Sequence, residues 1–223
     1  MRKLTAAVFL SLDGVMQGPG GPDEDSSGGF RFAGWMVPFA DESVNKATAK
    51  IYNEPEYDLL LGKRTYDIFS AYWPYNQDHP IGAKFQRINK YVLTHSDEPL
   101  AWENSHRLSG DTADAIAKLK QSKGRDLLLQ GSSTIYAPLL AAGLIDRIVL
   151  MTFPVMLGEG KRIFDGSQDG ALKLVGHFVS DSGVVFATYE PAGEVRTGSM
   201  ETKQPSAAEF ERREKLKLEE AKA

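Results

Sequence analysis

The chain contains no cysteine. Disulfides, thiol nucleophiles and cysteine-held metals are excluded together, which suits a reducing compartment, so a cytoplasmic protein is expected. Its histidines, His79, His95, His106 and His177, are scattered and show neither HxxxH nor HxH spacing, so no metal site is expected. No G-x-S-x-G element is present, and hydrolase chemistry on that plan has no support. Basic residues are not in excess: 26 Lys and Arg stand against 30 Asp and Glu, a net charge of −4. A nucleic-acid surface is normally basic, so no such partner is expected. No apolar run approaches the ~20 residues needed to span a bilayer. The N-terminus opens like a signal peptide, but its apolar run stops at Leu10 and Ser11-Leu12-Asp13-Gly14 follows without a small-residue cleavage site. No membrane partner is expected. The chain reads as an ordinary globular one, 42% hydrophobic and 25% charged over 223 residues.

What is present is a series of short apolar runs. Leu4–Leu10, Tyr57–Leu61, Ile88–Thr94, Asp126–Gln130 and Ile145–Val155 read as strands. Helical periodicity covers 41–53, a short piece from Tyr66 to Phe69, Asp111–Lys123 and Ile135–Leu144. Leu172–Val179 and Val184–Tyr189 read as a hairpin turned at Ser180-Asp181-Ser182-Gly183. Strands alternating with helices predict an α/β fold with a mostly parallel central sheet and a C-terminal antiparallel hairpin. About twenty residues from Ser11 to Gly34, rich in Gly, Pro, Asp and Ser, form a loop after the first strand, and loops of that length are usually functional or disordered. From Pro191 the composition changes. Residues 191–223 are polar and then highly charged, a tail expected to be solvated or helical, apart from a domain over 1–190.

In parallel sheets ligands sit outside the carboxyl ends of the strands. Three polar strand ends fall there: Gly62-Lys63-Arg64-Thr65, Thr94-His95-Ser96 and Gly131-Ser132-Ser133-Thr134. The last group joins a strand to the helix from Ile135, which brings free N–H groups and a positive helix end to one point and suits a phosphate. The plainer alternative is that Ser132 or Ser133 only caps the helix. Lys63 and Arg64 sit where a helix begins, unfavourably for cations unless an anion bridges them; the alternative is a solvent-facing position for both. Asp41 follows the apolar cluster Trp35–Phe39 and is a candidate acid with a raised pKa, or else an N-cap. Asp13 ends the first strand as a second candidate, or else simply forms an Asp-Gly turn. Gly158-Glu159-Gly160-Lys161-Arg162 lacks P-loop spacing and reads as a flexible loop able to border a ligand.

The ordered set Leu10–Gly14, Leu61–Asp67, Gln130–Tyr136 and Phe153–Gly160 resembles the dihydrofolate-reductase-like superfamily. It is most similar to the C-terminal reductase domain of the bifunctional riboflavin-biosynthesis deaminase-reductase, over about residues 2–190. The resemblance implies an NADPH-dependent oxidoreductase that passes hydride to a small heterocycle, aminouracil-phosphoribosyl or pterin-like. It assigns cofactor contact to Gly62, Lys63, Arg64, Thr65, Thr94, His95, Ser96 and Gly131 through Ile135. Ser132 stands where a second glycine is usual. The Trp35…Pro38…Asp41 segment is similar to the piece of dihydrofolate reductase that carries its pterin-binding carboxylate, and the Asp13 region would lie near substrate. Trp35, Phe39, Tyr66 and Phe69, with Tyr72, Trp73 and Phe153, would form a ring-binding wall, and the loop from Asp13 to Gly34 a lid. A homodimer is implied. The alternative on the same fold is a catalytically weak NADP(H)-binding protein with a sensory role. Gly131→Val is expected to abolish NADPH binding with the fold intact.

Overall fold

The computed structural model describes residues 1–53, 55–167, 169–200 and 205–221. An eight-stranded sheet forms its centre, in the order β4-β3-β2-β5-β1-β6-β8-β7. Its strands are β1 (Leu4–Ser11), β2 (Tyr57–Gly62), β3 (Lys90–Leu93), β4 (Ser105–Leu108), β5 (Asp126–Gln130), β6 (Arg147–Phe153), β7 (Leu172–Val179) and β8 (Val185–Pro191). Strands β4 through β6 of that order run parallel; β8 pairs antiparallel with β6, and β7 antiparallel with β8. The expected α/β fold with a terminal hairpin is what forms.

The helices are α1 (Glu42–Asn53), α2 (Lys63–Tyr72), α3 (Pro80–Arg87), α4 (Thr112–Gln121), α5 (Ser133–Ala141) and α6 (Ala207–Glu220). The central strands are apolar without alternation because both faces are covered. In β2, Leu59 and Leu61 join Tyr52 and Phe85 of α1 and α3, whereas Leu60 joins Ile116 and Tyr136 of α4 and α5. In β5, Leu128 faces the first group, and Leu127 and Leu129 the second. Each leucine so buried contributes about 2 kcal/mol. A buried ion pair ties the segment before β1 to β2: Arg2 Nη2 lies 2.6 Å from Asp58 Oδ2, with both side chains 2% exposed.

Two elements escape the sequence reading, one a polar edge strand and the other a very short helix. Strand β4, Ser-His-Arg-Leu, lies at the sheet's edge with neither face fully buried. Helix α3 is only eight residues long, begins at Pro80 and is capped by His79, whose Nδ1 accepts the Ile81 N–H. Helix α2 also starts three residues earlier and ends three later than the expected Tyr66–Phe69. β7 at the opposite edge is exposed along almost its whole length, Leu174 and Phe178 included.

Residues Met1–Gly193 form one compact unit and Glu194–Ala223 another. Within the second, Ser206 caps α6, and Glu209 pairs with Arg212 and Arg213 one turn on. Among the described residues, no helix is long and apolar enough to cross a membrane.

Candidate functional site

Strands β2, β5 and β1 are neighbours and end at the same edge of the sheet. The turns after β2 and β5 therefore meet. Gly62, Lys63, Arg64 and Thr65 from one, and Gly131, Ser132, Ser133 and Thr134 from the other, line a cavity of about 260 Å³. Helices α2 and α5 both start at it, and neither has a side-chain cap. Their first-turn N–H groups and positive ends are left for a ligand.

Ser132 does not act as a simple cap. Its hydroxyl accepts the Gly62 N–H at 2.7 Å, and its own N–H donates to Thr65 Oγ1 at 3.0 Å. The two strand ends are clasped through these bonds. Ser132 adopts φ 65°, ψ 53°, a left-handed conformation costing a non-glycine residue about 1–2 kcal/mol. The clasp holds it there, and a glycine at 132 would lack the hydroxyl that makes half of it. Gly131 is also left-handed at φ +56°, and a Cβ there would meet Thr65 Oγ1 at 2.7 Å and Cγ2 at 2.8 Å. Gly131→Val would thus push on Thr65 and strain the turn. The expectation that it leaves the fold intact does not survive this contact.

The cations at the cavity are Lys63, Arg64 and Lys161. Lys63 Nζ is held by Asp67 at 2.8 Å and Glu98 at 3.0 Å. Arg64 Nη1 reaches Asp25 Oδ1 at 3.1 Å, and Lys161 Nζ reaches Asp25 Oδ2 at 2.6 Å. Burial opposes ionisation of Asp25, but the Lys161 ammonium and the Ser27 hydroxyl and N–H outweigh it and hold the carboxyl at about 2. Asp25, Glu24 and Lys161 were not singled out in the sequence as site residues. Lys161's only signal was its glycine-rich loop after β6; Asp25 and Glu24 lie in a long loop without a motif. That loop is fastened rather than loose. Gln17 Nε2 donates to the Ser27 carbonyl at 2.8 Å, and Trp35 Nε1 to the Gln17 carbonyl at 2.8 Å.

A second cavity, of about 660 Å³, adjoins the first along Phe9, Glu24, Phe69 and Gln130, which line both. Its walls are aromatic. Phe9 stacks on Tyr52 and Phe69 on Phe85, at interplanar angles of 11° and 19°. Tyr72 and Trp73 line it as well. Trp35, Phe39, Tyr66 and Phe153 line neither cavity. Phe153 is buried between Trp35 and Phe39, edge-on to both at 5.4 and 5.9 Å. The Tyr66 hydroxyl accepts the Trp102 N–H at 2.9 Å. These rings form the core beneath the site.

The two candidate acids are also elsewhere. Asp41 caps α1, accepting the Ser43 hydroxyl and the Val44 N–H, and takes the Ser182 N–H at 2.8 Å. These donors hold its carboxyl well below the usual range, opposite to the expected rise. Asp13 accepts the Ser11 hydroxyl and the Leu157 and Gly158 N–H groups and pairs with Arg162, and its carboxyl is likewise held low. Neither lines a cavity. Thr94, His95 and Ser96 lie at the end of β3, one strand beyond β2 and outside both cavities; Thr94 Oγ1 accepts the Ser96 N–H. Ile135, on the inward side of α5, is buried in the core and lines neither cavity.

The mostly parallel sheet with its antiparallel terminal hairpin is a fold of the dihydrofolate-reductase-like class. A family model described as "RibD C-terminal domain" matches residues 2–186, and the chain belongs to that family. It is 25% identical over 193 residues to the uncharacterised protein YyaP of Bacillus subtilis (strain 168), covering 84% of this chain and 94% of that one. Among solved structures it is similar to a Shewanella sp. PV-4 protein named for riboflavin biosynthesis, with TM-score 0.65, 20% identity, and 85% and 99% of the two chains covered. It is also similar to dihydrofolate reductase from Enterococcus faecalis in complex with NADP(H), with TM-score 0.54, 15% identity, and 85% and 96% covered. At these identities the structures bear on the fold alone. The family is one of reductases, and an oxidoreductase of that type is what the match supports.

Proposed function

We propose that the protein is an NADPH-dependent reductase that delivers hydride to a polarised C=N or C=O bond of a small heterocycle. The observation that carries this reading is the direct junction of a phosphate-suited cleft with an aromatic pocket. The residues present fit a dinucleotide. Gly131 lines the cleft with bare backbone, which a ligand can approach closely. Two uncapped helix starts offer N–H groups to the pyrophosphate, with Ser133 and Thr134 as hydroxyl donors. Arg64 supplies a guanidinium fork suited to phosphate oxygens.

When bound, the dihydronicotinamide supplies the hydride. The chain itself binds, orients and excludes water. Phe9 and Phe69, common to both cavities, would bring two rings face to face, and the fastened loop over 14–34 would wall the site from solvent. Of the remaining nominees, Thr94, His95 and Ser96 are proposed to reach the cofactor's outer phosphate from the neighbouring strand end. A homodimer is proposed as well, a second copy adding to the exposed apolar edge strand β7; sedimentation of a Phe178→Lys variant as a monomer would support it, and an unchanged mass would sink it.

Titration with NADPH and NADH tests the central reading. Saturable NADPH binding is expected, and absence of binding by either at millimolar concentration removes the proposal. One observation favours the alternative of a weak or sensory NADP(H)-binding protein: both nominated acids, Asp13 and Asp41, are fully engaged in structural bonds outside the cavities. That alternative predicts NADPH binding without oxidation in a screen of pterin and aminouracil substrates.

A further inference from the structure

The loop after β1 puts carboxylates where a phosphate would need cations. Glu24 and Asp25 line the smaller cavity together with Lys63, Arg64 and Lys161. Asp25 bridges two of these cations, with Oδ1 at 3.1 Å from Arg64 Nη1 and Oδ2 at 2.6 Å from Lys161 Nζ. Lys63, the third, is taken by Asp67 and Glu98, which lie outside the cavity. Each cation of the cleft is thus matched by a carboxylate of the chain itself. Burial raises the Glu24 carboxyl above its ordinary value and the charge of Asp25 adds to the rise, against the Gly20 and Gly21 N–H groups. A phosphate entering here meets two carboxylates on the loop.

The Asp25 bridge is held from several sides. Ser27 donates to its Oδ1 through the N–H at 3.1 Å and the hydroxyl at 2.6 Å, and the Lys161 ammonium donates to Ser27 Oγ at 2.8 Å. Gln17 joins the two loops behind it: Nε2 donates to the Asp25 carbonyl at 3.2 Å, and Oε1 accepts the Lys161 N–H at 3.1 Å. Asp25, Ser27 and Lys161 therefore form one fastened group. Arg64 belongs to α2 instead, and its bond to Asp25 is the only one its side chain makes among the described residues. The Asp25 side chain is 10% exposed and that of Arg64 62%. The contact that can open is the one between loop and helix.

We infer that Asp25 is a tethered stand-in for a ligand phosphate, and that the loop over 17–27 is a strap whose hold on Arg64 a phosphate-bearing ligand must displace. Asp25 keeps Lys161 and Ser27 when it lets go of Arg64, so the loop still walls the cleft. The fraction of molecules with Arg64 released sets the apparent affinity. The identity of the ligand, NADP(H), rests on the reductase reading; the competition itself would be entered by any pyrophosphate.

Binding of NADP⁺ and of inorganic pyrophosphate is measured by calorimetry on the full chain and on two variants, whose folding is checked by melting temperature. Asp25→Asn keeps an oxygen for the Ser27 donors and removes the charge that holds Arg64. Both ligands should bind it roughly ten-fold tighter, the worth of about one charge-assisted contact. Ser27→Ala leaves every charge in place and removes a hydroxyl that aims Asp25, and should tighten both roughly three-fold. Where Asp25→Asn does not fold, Ser27→Ala decides. Unchanged or weaker binding of both ligands by the folded variants overturns the inference, and the reductase reading stands as long as the unaltered chain binds NADP⁺. Failure of NADP⁺ to bind any of the three proteins, with pyrophosphate still gaining in the variants, overturns that reading and keeps the strap. Failure of both ligands throughout overturns both.

Discussion

Gly131→Ala is the most informative single change, because its cost can be assembled from two separate contacts. The residue has φ +56°, where a Cβ costs about 1–2 kcal/mol. The same Cβ would stand 2.7 Å from Thr65 Oγ1 and 2.8 Å from Cγ2, closer than van der Waals contact allows. Overpacking of that kind costs about 1–3 kcal/mol. The sum is about 3 kcal/mol, which for a chain of this length lowers the melting temperature by about 6–12 °C. Thr65 cannot simply rotate away, because its Oγ1 accepts the Ser132 N–H that holds the second left-handed residue. The two components separate in a double-mutant cycle. Thr65→Ala removes both atoms in collision, so in that background Gly131→Ala should cost only the backbone part, with a coupling of about 1–3 kcal/mol. The assay is urea denaturation of four variants, paired with NADPH titration of each. If Gly131→Ala costs the same in both backgrounds, the close approach is not what requires glycine, and the clasp described between the two strand ends is wrong.

Arg64→Met should weaken NADPH binding roughly ten- to hundred-fold, the loss of a charged hydrogen bond, with little change in melting temperature because the side chain is 62% exposed. An unchanged dissociation constant would place Arg64 among ordinary surface residues. Asp58→Asn breaks the Arg2–Asp58 pair at 2% exposure and should cost about 3–5 kcal/mol by chemical denaturation, whereas Arg2→Met with Asp58→Leu should recover most of it; a mild effect of the single change would mean that water reaches the pair. The Asp25 carboxyl titrates at about 2 when folded, below its ordinary 3.8, so its stabilising effect is complete above pH 4 and lost as pH falls toward 2. Lys161→Met removes the main opposing charge and should move that loss to higher pH, read from melting temperatures between pH 2 and 5; an unshifted profile would show that Lys161 does not set it. A chain ending at Gly193 should unfold at the same temperature as the whole protein, since Met1–Gly193 forms a compact unit.

Legibility followed apolar pattern. Continuous runs such as Leu59-Leu60-Leu61 and Leu127-Leu128-Leu129 announced buried parallel strands, because only a strand covered on both faces lacks polar alternation. β4 and α3 carried no such pattern, being a polar edge and a short capped helix. The Gly62–Thr65 and Gly131–Thr134 turns were legible as phosphate-suited strand ends, and the structure joins them in one cavity. The aromatic wall was legible only in composition. Phe69, Tyr72 and Trp73 face the pocket, whereas Trp35, Phe39, Tyr66 and Phe153 fill the core, and nothing in their local spacing distinguishes the two groups.

The sequence by itself determined the alternation of strands and helices, the exclusion of thiol chemistry and the residues at two strand ends, since these depend on local pattern and composition. The tertiary structure alone decided which charges meet. Asp41 and Asp13 read alike as acids or as a cap and a turn; Ser43, Val44 and Ser11 engage them locally, and Ser182 and Leu157, more than 130 residues away in the chain, complete the engagement. Glu24, Asp25 and Lys161 carried no assigned role until the loop after β1 and the loop after β6 were brought together at the cleft. A carboxylate's role depends on what solvates it, and its neighbours here come from distant parts of the chain.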